Sequence, residues 1–435
     1  MSPADAQTPA STVPAAVAPA PPTYLRRLLV FLCMVAFFDG YDLFAISQTL
    51  PELRAHFHLT PVEGSHLLAI ANLGTVAAYL LVRLADRWGR RPLLLTCLAG
   101  YSVASLLSGL APQTWTFLVG QLAVRFFLVS ALSTAILYAT EEFPAARRGR
   151  TVSLVQASYS LGAIVCAALT PRLVQTALGF RTVYLVGASS LLLLLFSVTG
   201  LRETAAFQQS AQARGPSPAP LWPRLPQPPH RRRMLQLAAI WILTFLCNQS
   251  ATVFWKEYAQ ADRGLSSARI GAWVAIAAVV ALPLTVLAGR LIDRIGRRRG
   301  AIVLYLTTAC GVALAYTPLS ERMLLPALIL LIAGSSATVA LLGTWTAESF
   351  PTDQRGDAFA WSNSLLGRLG FILSPLLVAA LVPTLGWGHT LVLAAILPVV
   401  ALSLVLLWLP ETAGQAIDRS PAAPAAAPHR ASTDS

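Results

Sequence analysis

The sequence predicts an all-α integral membrane protein whose twelve transmembrane helices form two six-helix halves related by pseudo-symmetry. Composition is the first observation: 55% of the residues are hydrophobic, 12% are charged and the mean hydropathy is +0.62. Such a chain suits lipid better than water. The second observation is a series of apolar runs, each long enough to cross about 30 Å of hydrocarbon as a helix. The runs begin near residues 28, 66, 93, 115, 151, 180, 234, 269, 300, 323, 357 and 387.

A pair of loop motifs that occurs twice, at a constant offset of 207 residues, is the third observation. RLADRWGRR at 83–91 follows the second span, and its counterpart RLIDRIGRR at 290–298 follows the eighth. EEFPAARRG at 141–149 follows the fourth span, and ESFPTDQRG at 348–356 follows the tenth. Duplicated bundles of this kind are typical of proteins that move solutes across membranes.

The repeats and the shifts in composition divide the chain into five segments. Alanine, proline and serine dominate both ends, and a stretch rich in proline and arginine lies between the halves, so all three are expected to be disordered. The predicted segments are a cytoplasmic tail at 1–24, the first half at 25–204, a cytoplasmic linker at 205–233, the second half at 234–412 and a cytoplasmic tail at 413–435.

The basic residues predict the orientation, because Lys and Arg in short loops resist translocation. Most of the 32 Lys and Arg residues fall in the repeated loops, the linker and the tails. We therefore expect both termini in the cytoplasm and the protein in the plasma (inner) membrane. Orientation also explains the net charge of +13 without nucleic acid as a partner, since the arginines are scattered over short loops. The basic residues expected on the far side are Arg54, Arg172, Arg181, Arg263, Arg269 and Arg322.

The loops at 84–91 and 289–298 resemble the signature of the major facilitator superfamily, over a bundle from about 25 to 412. With RET at 202–204 and PET at 410–412, the pattern is similar to the branches of organic (aromatic) acid/proton symporters and sugar porters. The resemblance implies a central cavity and alternating access. One departure is that the motif glycine, Gly289 in the second copy, is Val82 in the first, which we expect to weaken a helix contact there.

The charged residues of the repeated loops are candidates for gating. An acidic residue at a helix end, followed by a glycine turn and a basic cluster, can pair across the cytoplasmic seam and hold one state closed. Asp86 with Arg90 and Asp293 with Arg297 are the proposed pairs. The alternative is that these charges only anchor the loops and fix orientation. The full predicted set is Asp86, Arg90, Glu141, Arg148, Asp293, Arg297, Glu348 and Arg355.

The first span contains the strongest candidates for proton coupling, in FFDGYDLF at 37–44. Asp39 and Asp42 lie one helical turn apart, and an ionised Asp at mid-membrane costs about 2.5–3.5 kcal/mol. Burial and mutual repulsion favour the protonated form of at least one of them. The segment also resembles the DGxD sequence of aromatic acid/proton symporters. Asp42 is the first candidate and Asp39 the second; a purely structural role is the alternative.

Two arginines and several polar residues inside the spans are candidate substrate contacts. Arg125 in the fourth span and Arg368 in the eleventh each need a carboxylate, water or an anionic ligand. Asp39 or Asp42 is the expected resting partner of Arg125. The other candidates, each of which can equally serve as interhelical contact, are Gln156, Tyr159, Asn248, Gln249, Trp345, Trp361 and Asn363. Lys256 and Glu257, near the outer end of the seventh span, are expected to mark the water interface.

The sequence therefore predicts a secondary transporter, with proton-coupled symport of a small organic anion, an aromatic or other carboxylic acid, as the first hypothesis. The alternatives are a proton-coupled sugar or polyol porter, an exporter of drugs or other solutes, and a membrane sensor that transports nothing. An enzyme is disfavoured because no nucleophile and base set occurs, and ATP is not expected to drive transport because no phosphate-binding Gly-Lys-Ser/Thr loop occurs. The expected partners are the substrate, protons and lipid; no cofactor or metal is expected, and a monomer suffices.

Overall fold

The structure, a computed structural model, describes residues 21–204, 207–208, 222–226, 228, 230–317 and 320–412, without the side chains of residues 86, 145, 146, 196–199, 352 and 353. The predicted tails, except residues 21–24, and most of the predicted linker lie outside the described residues. Within the described part every regular element is a helix. This follows from the solvent, because a chain in hydrocarbon must satisfy its backbone hydrogen bonds within each segment.

The first half contains six spans, the last of them interrupted. A capping box between Thr60 and Glu63 begins α2, and proline occupies the first turn of both α1 and α2, where its missing N–H costs nothing. A short 3₁₀ turn at Ser189–Leu191 joins α6 to α7. The helices are α1 Pro22–Phe57, α2 Pro61–Trp88, α3 Arg90–Leu110, α4 Thr114–Glu142, α5 Ala145–Leu173, α6 Arg181–Ala188 and α7 Leu192–Gly200.

The second half repeats this arrangement with more interruptions. Its first span breaks at Phe254, and the span that carries Arg368 contains a π-helical segment at Ala360–Gly367. Gly386, with φ of 74°, separates that span from the last one. The helices are α8 His230–Val253, α9 Trp255–Ala261, α10 Ser267–Ile295, α11 Arg297–Tyr316, α12 Glu321–Glu348, α13 Thr352–Phe359, α14 Leu369–Leu393 and α15 Ile396–Trp408.

Ten helices in the described part are long and apolar enough to cross a membrane, and the segments Arg181–Leu195 and Ile396–Trp408 are shorter apolar helices. The shorter ones belong to the sixth and twelfth predicted spans, which the structure divides into pieces. The predicted fold class, two six-helix halves, is confirmed.

The two halves meet at one end of the bundle and separate at the other. We call the end with the loops 83–91 and 290–298 the basic end. One hydrophobic core contains residues of both halves, such as Tyr184 and Trp255, and lies towards the opposite end. The other two cores each belong to a single half.

Between the halves, towards the basic end, lies a cavity of about 330 Å³ that we call the vestibule. It is lined by α2, α4, α13 and the π-helical segment, with Thr75 and Arg368 at its inner wall and Arg83 and Arg90 nearer the basic end. The described conformation is therefore one that is closed at the opposite end.

Candidate functional site

Asp42 lies in a seam between α1, α3 and α6. It is 3% exposed, and its Oδ1 accepts a hydrogen bond of 3.3 Å from the Ser105 hydroxyl. Gly187 of α6 makes room for it, since a Cβ there would lie 1.8 Å from Oδ1. Its Oδ2 is buried without a hydrogen-bond partner. In the described part of the chain no cation contacts this carboxyl, so Asp42 is a buried acid with a single weak donor.

Asp39, one turn earlier on α1, is 1% exposed, and its Oδ1 has no hydrogen-bond partner. The guanidinium of Arg368 and the hydroxyl of Tyr159 are close enough to interact with it electrostatically. Close packing fixes this geometry, because a Cβ on Gly40 would lie 1.9 Å from the Tyr159 carbonyl oxygen. The small residue lets the backbones of α1 and α5 touch. The two carboxyls thus share a helix but have different neighbours.

Arg125 is 5% exposed in the middle of α4. Among the described residues its guanidinium has no hydrogen bond and no ion pair, and its Nε is one of the buried atoms without a partner. It lines a small pocket of about 10 Å³, which we call the Arg125 pocket. Polar groups of Asn72, Gln249 and Ser374 and apolar groups such as Phe254 complete the lining. Since this volume holds about one water, a larger ligand enters only when the lining moves.

The predicted pairing of Arg125 with Asp39 or Asp42 is absent from the described residues. Asp42 is held in the seam with α3 and α6. The cation that interacts with Asp39 is Arg368. Arg125 is consequently a buried cation without a counterion in this conformation.

Two hydrogen bonds cross between the halves near the Arg125 pocket. Arg368 follows the π-helical segment, and its Nη1 donates to the Thr75 carbonyl at 2.9 Å. Asn72 Nδ2 donates to the Phe371 carbonyl at 2.7 Å, while its Oδ1 is buried and without a partner. The sequence analysis did not single out Asn72, although an isolated amide in an apolar helix such as α2 indicates a polar contact. Both bonds join α2 to the eleventh span.

At the basic end each half contains the same ionic cluster. Arg90 donates to Glu141 from Nη2 at 2.9 Å, and the Thr204 hydroxyl donates to the same carboxylate at 2.5 Å. Glu203 accepts from the backbone N–H of Arg90 at 2.9 Å, which places a carboxylate at the start of α3.

The second half repeats the cluster with Arg297, Glu348, Thr412 and Glu411. Arg297 additionally pairs with Asp293 at 2.7 Å. Within the described residues each cluster lies inside its own half. Of the two predicted pairs, Asp293 with Arg297 is therefore present, within the second half.

Arg148, Arg355 and Asp86 complete the predicted gating set. The side chain of Arg148 is exposed. Arg355 Nη2 donates to the Phe350 carbonyl at 3.4 Å. The side chain of Asp86 lies outside the described residues. Val82 lines the vestibule, and a Cβ on Gly289 would meet nothing within 4 Å. Among the described residues, the expected helix contact at the motif glycine is thus absent from this conformation, in which the two halves are separated at the basic end.

Comparison with known proteins identifies the family. The family model of the Major Facilitator Superfamily matches residues 32–255 and 237–431. The chain belongs to this superfamily. It is therefore a multi-pass membrane transporter and not an enzyme, and the superfamily's members carry small molecules.

Individual relatives are distant but cover the whole bundle. The niacin transporter NiaP of Acinetobacter baylyi is 23% identical, over 88% of this chain and 93% of its own. The gallate transporter of Pseudomonas putida is 24% identical, over 88% and 91%. The inward-open conformation of the E. coli xylose transporter XylE has a TM-score of 0.71 at 19% identity, over 91% and 98%. The last likeness concerns the fold alone.

Two of the remaining predicted residues lie near Arg125 or Arg368. Gln249 lines the Arg125 pocket, and Tyr159 is half-buried where it interacts with Asp39, Arg125 and Arg368. Asn248 and Asn363 are half-buried and have no described side-chain hydrogen bond. Gln156 is exposed on α5.

Both predicted tryptophans lie elsewhere. Trp345 is 1% exposed in the core of the second half, and its indole N–H donates to the Pro410 carbonyl at 3.2 Å. The Trp361 indole donates to the Pro223 carbonyl at 3.2 Å. Neither tryptophan is among the described residues that line the Arg125 pocket, and both indole N–H groups already donate to chain carbonyls.

The prediction that Lys256 and Glu257 mark the water interface is wrong for their side chains. Both residues are buried, at 2% and 3% exposure, and both bind charged residues of the other half. The sequence gives no hint of this, because the partners lie about 200 residues away and belong to α1.

Proposed function

We propose that this transporter moves a small organic monocarboxylate together with a proton, by alternating access. The observation that carries the proposal is Arg125, a buried guanidinium without a partner among the described residues. A guanidinium stays charged at any accessible pH, and a charge in the membrane interior needs a counterion. A carboxylate provides one with matching bidentate geometry. Gln249 and Asn72 in the same pocket supply further polar contacts.

The charge of the site argues for one carboxylate on the substrate. The charged groups of the proposed site are Arg125, Arg368 and Asp39, and Asp42 lies one turn of α1 further on. Asp39 opposes the charge of Arg368, and Asp42, which no described cation contacts, is the carboxyl suited to take up a proton. One positive charge, on Arg125, is then left over. A monoanion neutralises it, whereas a neutral sugar leaves it bare and a dianion exceeds it.

The relatives support the chemical class. Niacin and gallate, named for two of them, are aromatic rings with one carboxylic acid. In the transport cycle, Asp42 binds a proton and Arg125 binds the carboxylate while the site faces the outside, and both leave through the vestibule. The basic end then faces the cytoplasm, the membrane is the plasma (inner) membrane, and a single chain is the working unit.

Uptake into proteoliposomes tests the substrate. Nicotinate and nicotinamide form a matched pair that differs in the carboxylate, while cis,cis-muconate tests a dianion and xylose a neutral sugar. We expect an inward proton gradient to drive accumulation of nicotinate and of none of the others. Arg125→Gln should weaken nicotinate binding at least about thirtyfold, the equivalent of about 2 kcal/mol for a truncated charge pair. Arg322→Gln, an exposed arginine, is the control and should change nothing. Gradient-driven xylose uptake would instead establish the sugar porter.

The proton site is tested separately. Asp42→Asn mimics the protonated carboxyl and cannot release a proton, so gradient-driven accumulation should be lost while exchange of labelled for unlabelled nicotinate continues. Asp39→Asn leaves Arg368 unopposed and should change nicotinate affinity as well as coupling. Accumulation that survives Asp42→Asn would remove Asp42 from this role and transfer it to Asp39.

A further inference from the structure

Four charged side chains join the two halves at the end opposite the basic end. Lys256 Nζ binds Glu52 Oε1 at 2.6 Å and also donates to the Gln48 carbonyl at 2.5 Å. Arg54 Nη1 binds Glu257 Oε2 at 2.7 Å. We call Glu52, Arg54, Lys256 and Glu257 the latch. Each half contributes one cation and one anion, so the pairing is crossed and the latch carries no net charge.

Burial distinguishes the latch from an ordinary surface pair. The side chains of Lys256 and Glu257 are 3% and 4% exposed, and those of Arg54 and Glu52 are 17% and 24% exposed. Exposed ion pairs contribute little, but removal of one partner of a buried pair leaves an uncompensated charge. Separation of the halves exposes all four groups to water, which offsets part of the lost attraction. Neutralisation of one partner instead leaves its counterpart buried and uncompensated in the closed arrangement, so closure of this end depends on all four charges.

The helices of the latch also carry the candidate site. On the first half, α1 runs without interruption from Asp39 and Asp42 to the latch residues Glu52 and Arg54. On the second half, the helix breaks at Phe254, with φ of −92° and ψ of 6°, two residues before Lys256. Phe254 itself lines the Arg125 pocket. A ligand larger than this small pocket must displace its lining, which includes Phe254. Only Trp255 separates Phe254 from Lys256 of the latch.

We infer that the latch is the gate of the transport cycle at this end, and that the break at Phe254 transmits occupancy of the Arg125 pocket to it. The gate opens when both ion pairs separate, and the pairs re-form when the site turns to the vestibule. The role of the ion pairs as a gate holds whichever solute is carried and whether or not protons move, so it does not depend on the proposed substrate. The test of transmission rests on the proposed function, because it uses nicotinate as the ligand.

Labelling of a cysteine below the latch tests this. Val253→Cys, in a chain whose five native cysteines are replaced by serine and which retains uptake, places a thiol at the Arg125 pocket. A membrane-impermeant maleimide is added from the side of the latch. We expect Glu52→Gln and Lys256→Gln each to speed labelling at least about tenfold, and Lys256→Arg, which keeps the charge, to leave it slow.

Charge exchange separates pairing from a general loss of structure. Glu52→Lys combined with Lys256→Glu restores opposite charges across the halves and should return labelling to within about twofold of the parent rate, well inside the tenfold effect. The control is Arg269→Gln, which removes an ion pair of 2.8 Å with Glu321 inside the second half, at 50% exposure of both side chains. It should not change labelling.

Two results would overturn the role of the latch as the gate. One is labelling in Glu52→Gln that stays at the parent rate. The other is a charge exchange that reaches the membrane and labels as fast as the single variants. Bound nicotinate provides the second readout. If the Phe254 break transmits occupancy of the Arg125 pocket, nicotinate should change the labelling rate of the parent protein. Phe254→Ala, which leaves the latch residues intact, should remove that response. A response unchanged by Phe254→Ala would refute the transmission.

Discussion

Gly89→Ala is expected to destabilise the first half through one turn between α2 and α3. Gly89 has φ of 102° and ψ of 162°, a region that only glycine adopts without strain. An added Cβ would lie 2.3 Å from Glu203 Oε2. That carboxylate accepts from the N–H groups of Arg90 and Arg91 at the start of α3. The substitution therefore strains the backbone and displaces the group that caps the helix.

The size of the effect follows from these two contributions. A non-glycine residue in this region costs about 1–3 kcal/mol, and loss of a carboxylate at a helix N-terminus costs about 0.3–1 kcal/mol. The expected total is roughly 1–4 kcal/mol. Gly296, its counterpart, has φ of 90° and a Cβ contact of 2.9 Å with Glu411, so the clash is milder and Gly296→Ala should cost less.

Thermal unfolding of purified protein in detergent measures this. Gly289→Ala is the matched control, since it lies in the same repeated loop, in helical conformation, and its added Cβ meets nothing within 4 Å. We expect the midpoint to fall most for Gly89→Ala, less for Gly296→Ala and not at all for Gly289→Ala. A Gly89→Ala protein as stable as Gly289→Ala would show that Glu203 and the turn do not hold this end of the half.

Three further predictions concern the site. Gly187→Ala puts a methyl group 1.8 Å from Asp42 Oδ1, so proton-driven uptake should fall by at least about tenfold, as for a displaced coupling group; unchanged accumulation would contradict the seam location. Trp345→Phe loses one hydrogen bond to a chain carbonyl, so it should lower stability by about 1 kcal/mol and leave the KM for nicotinate unchanged; a raised KM would return this tryptophan to the substrate site. Asn72→Ala removes the bond to the Phe371 carbonyl across the halves, so it should speed maleimide labelling of the Val253→Cys reporter from the latch side, and an unchanged rate would contradict it.

Much of the fold was readable from the sequence because lipid permits few structures. A chain in hydrocarbon must be helical, so apolar length alone located the spans. The constant offset between the loops 83–91 and 290–298 established the two halves. Charge at mid-membrane is costly enough that Asp39, Asp42 and Arg125 stood out without any structural information.

What the sequence left open is which neighbour each polar side chain meets. Asp42 enters the seam with α3 and α6, and Trp345 turns into the core of its own half. Among the described residues, Arg125 has no carboxylate beside it.

Lys256 and Glu257 provide the clearest case, because their partners come from α1 in the other half. Helical periodicity places residues on one face of their own helix. In lipid, however, the same hydrophobicity covers faces that meet lipid and faces that meet other helices, so the pattern does not say which helix a face will touch. The packing of segments about 200 residues apart decided that, and with it the location of the pocket and the latch.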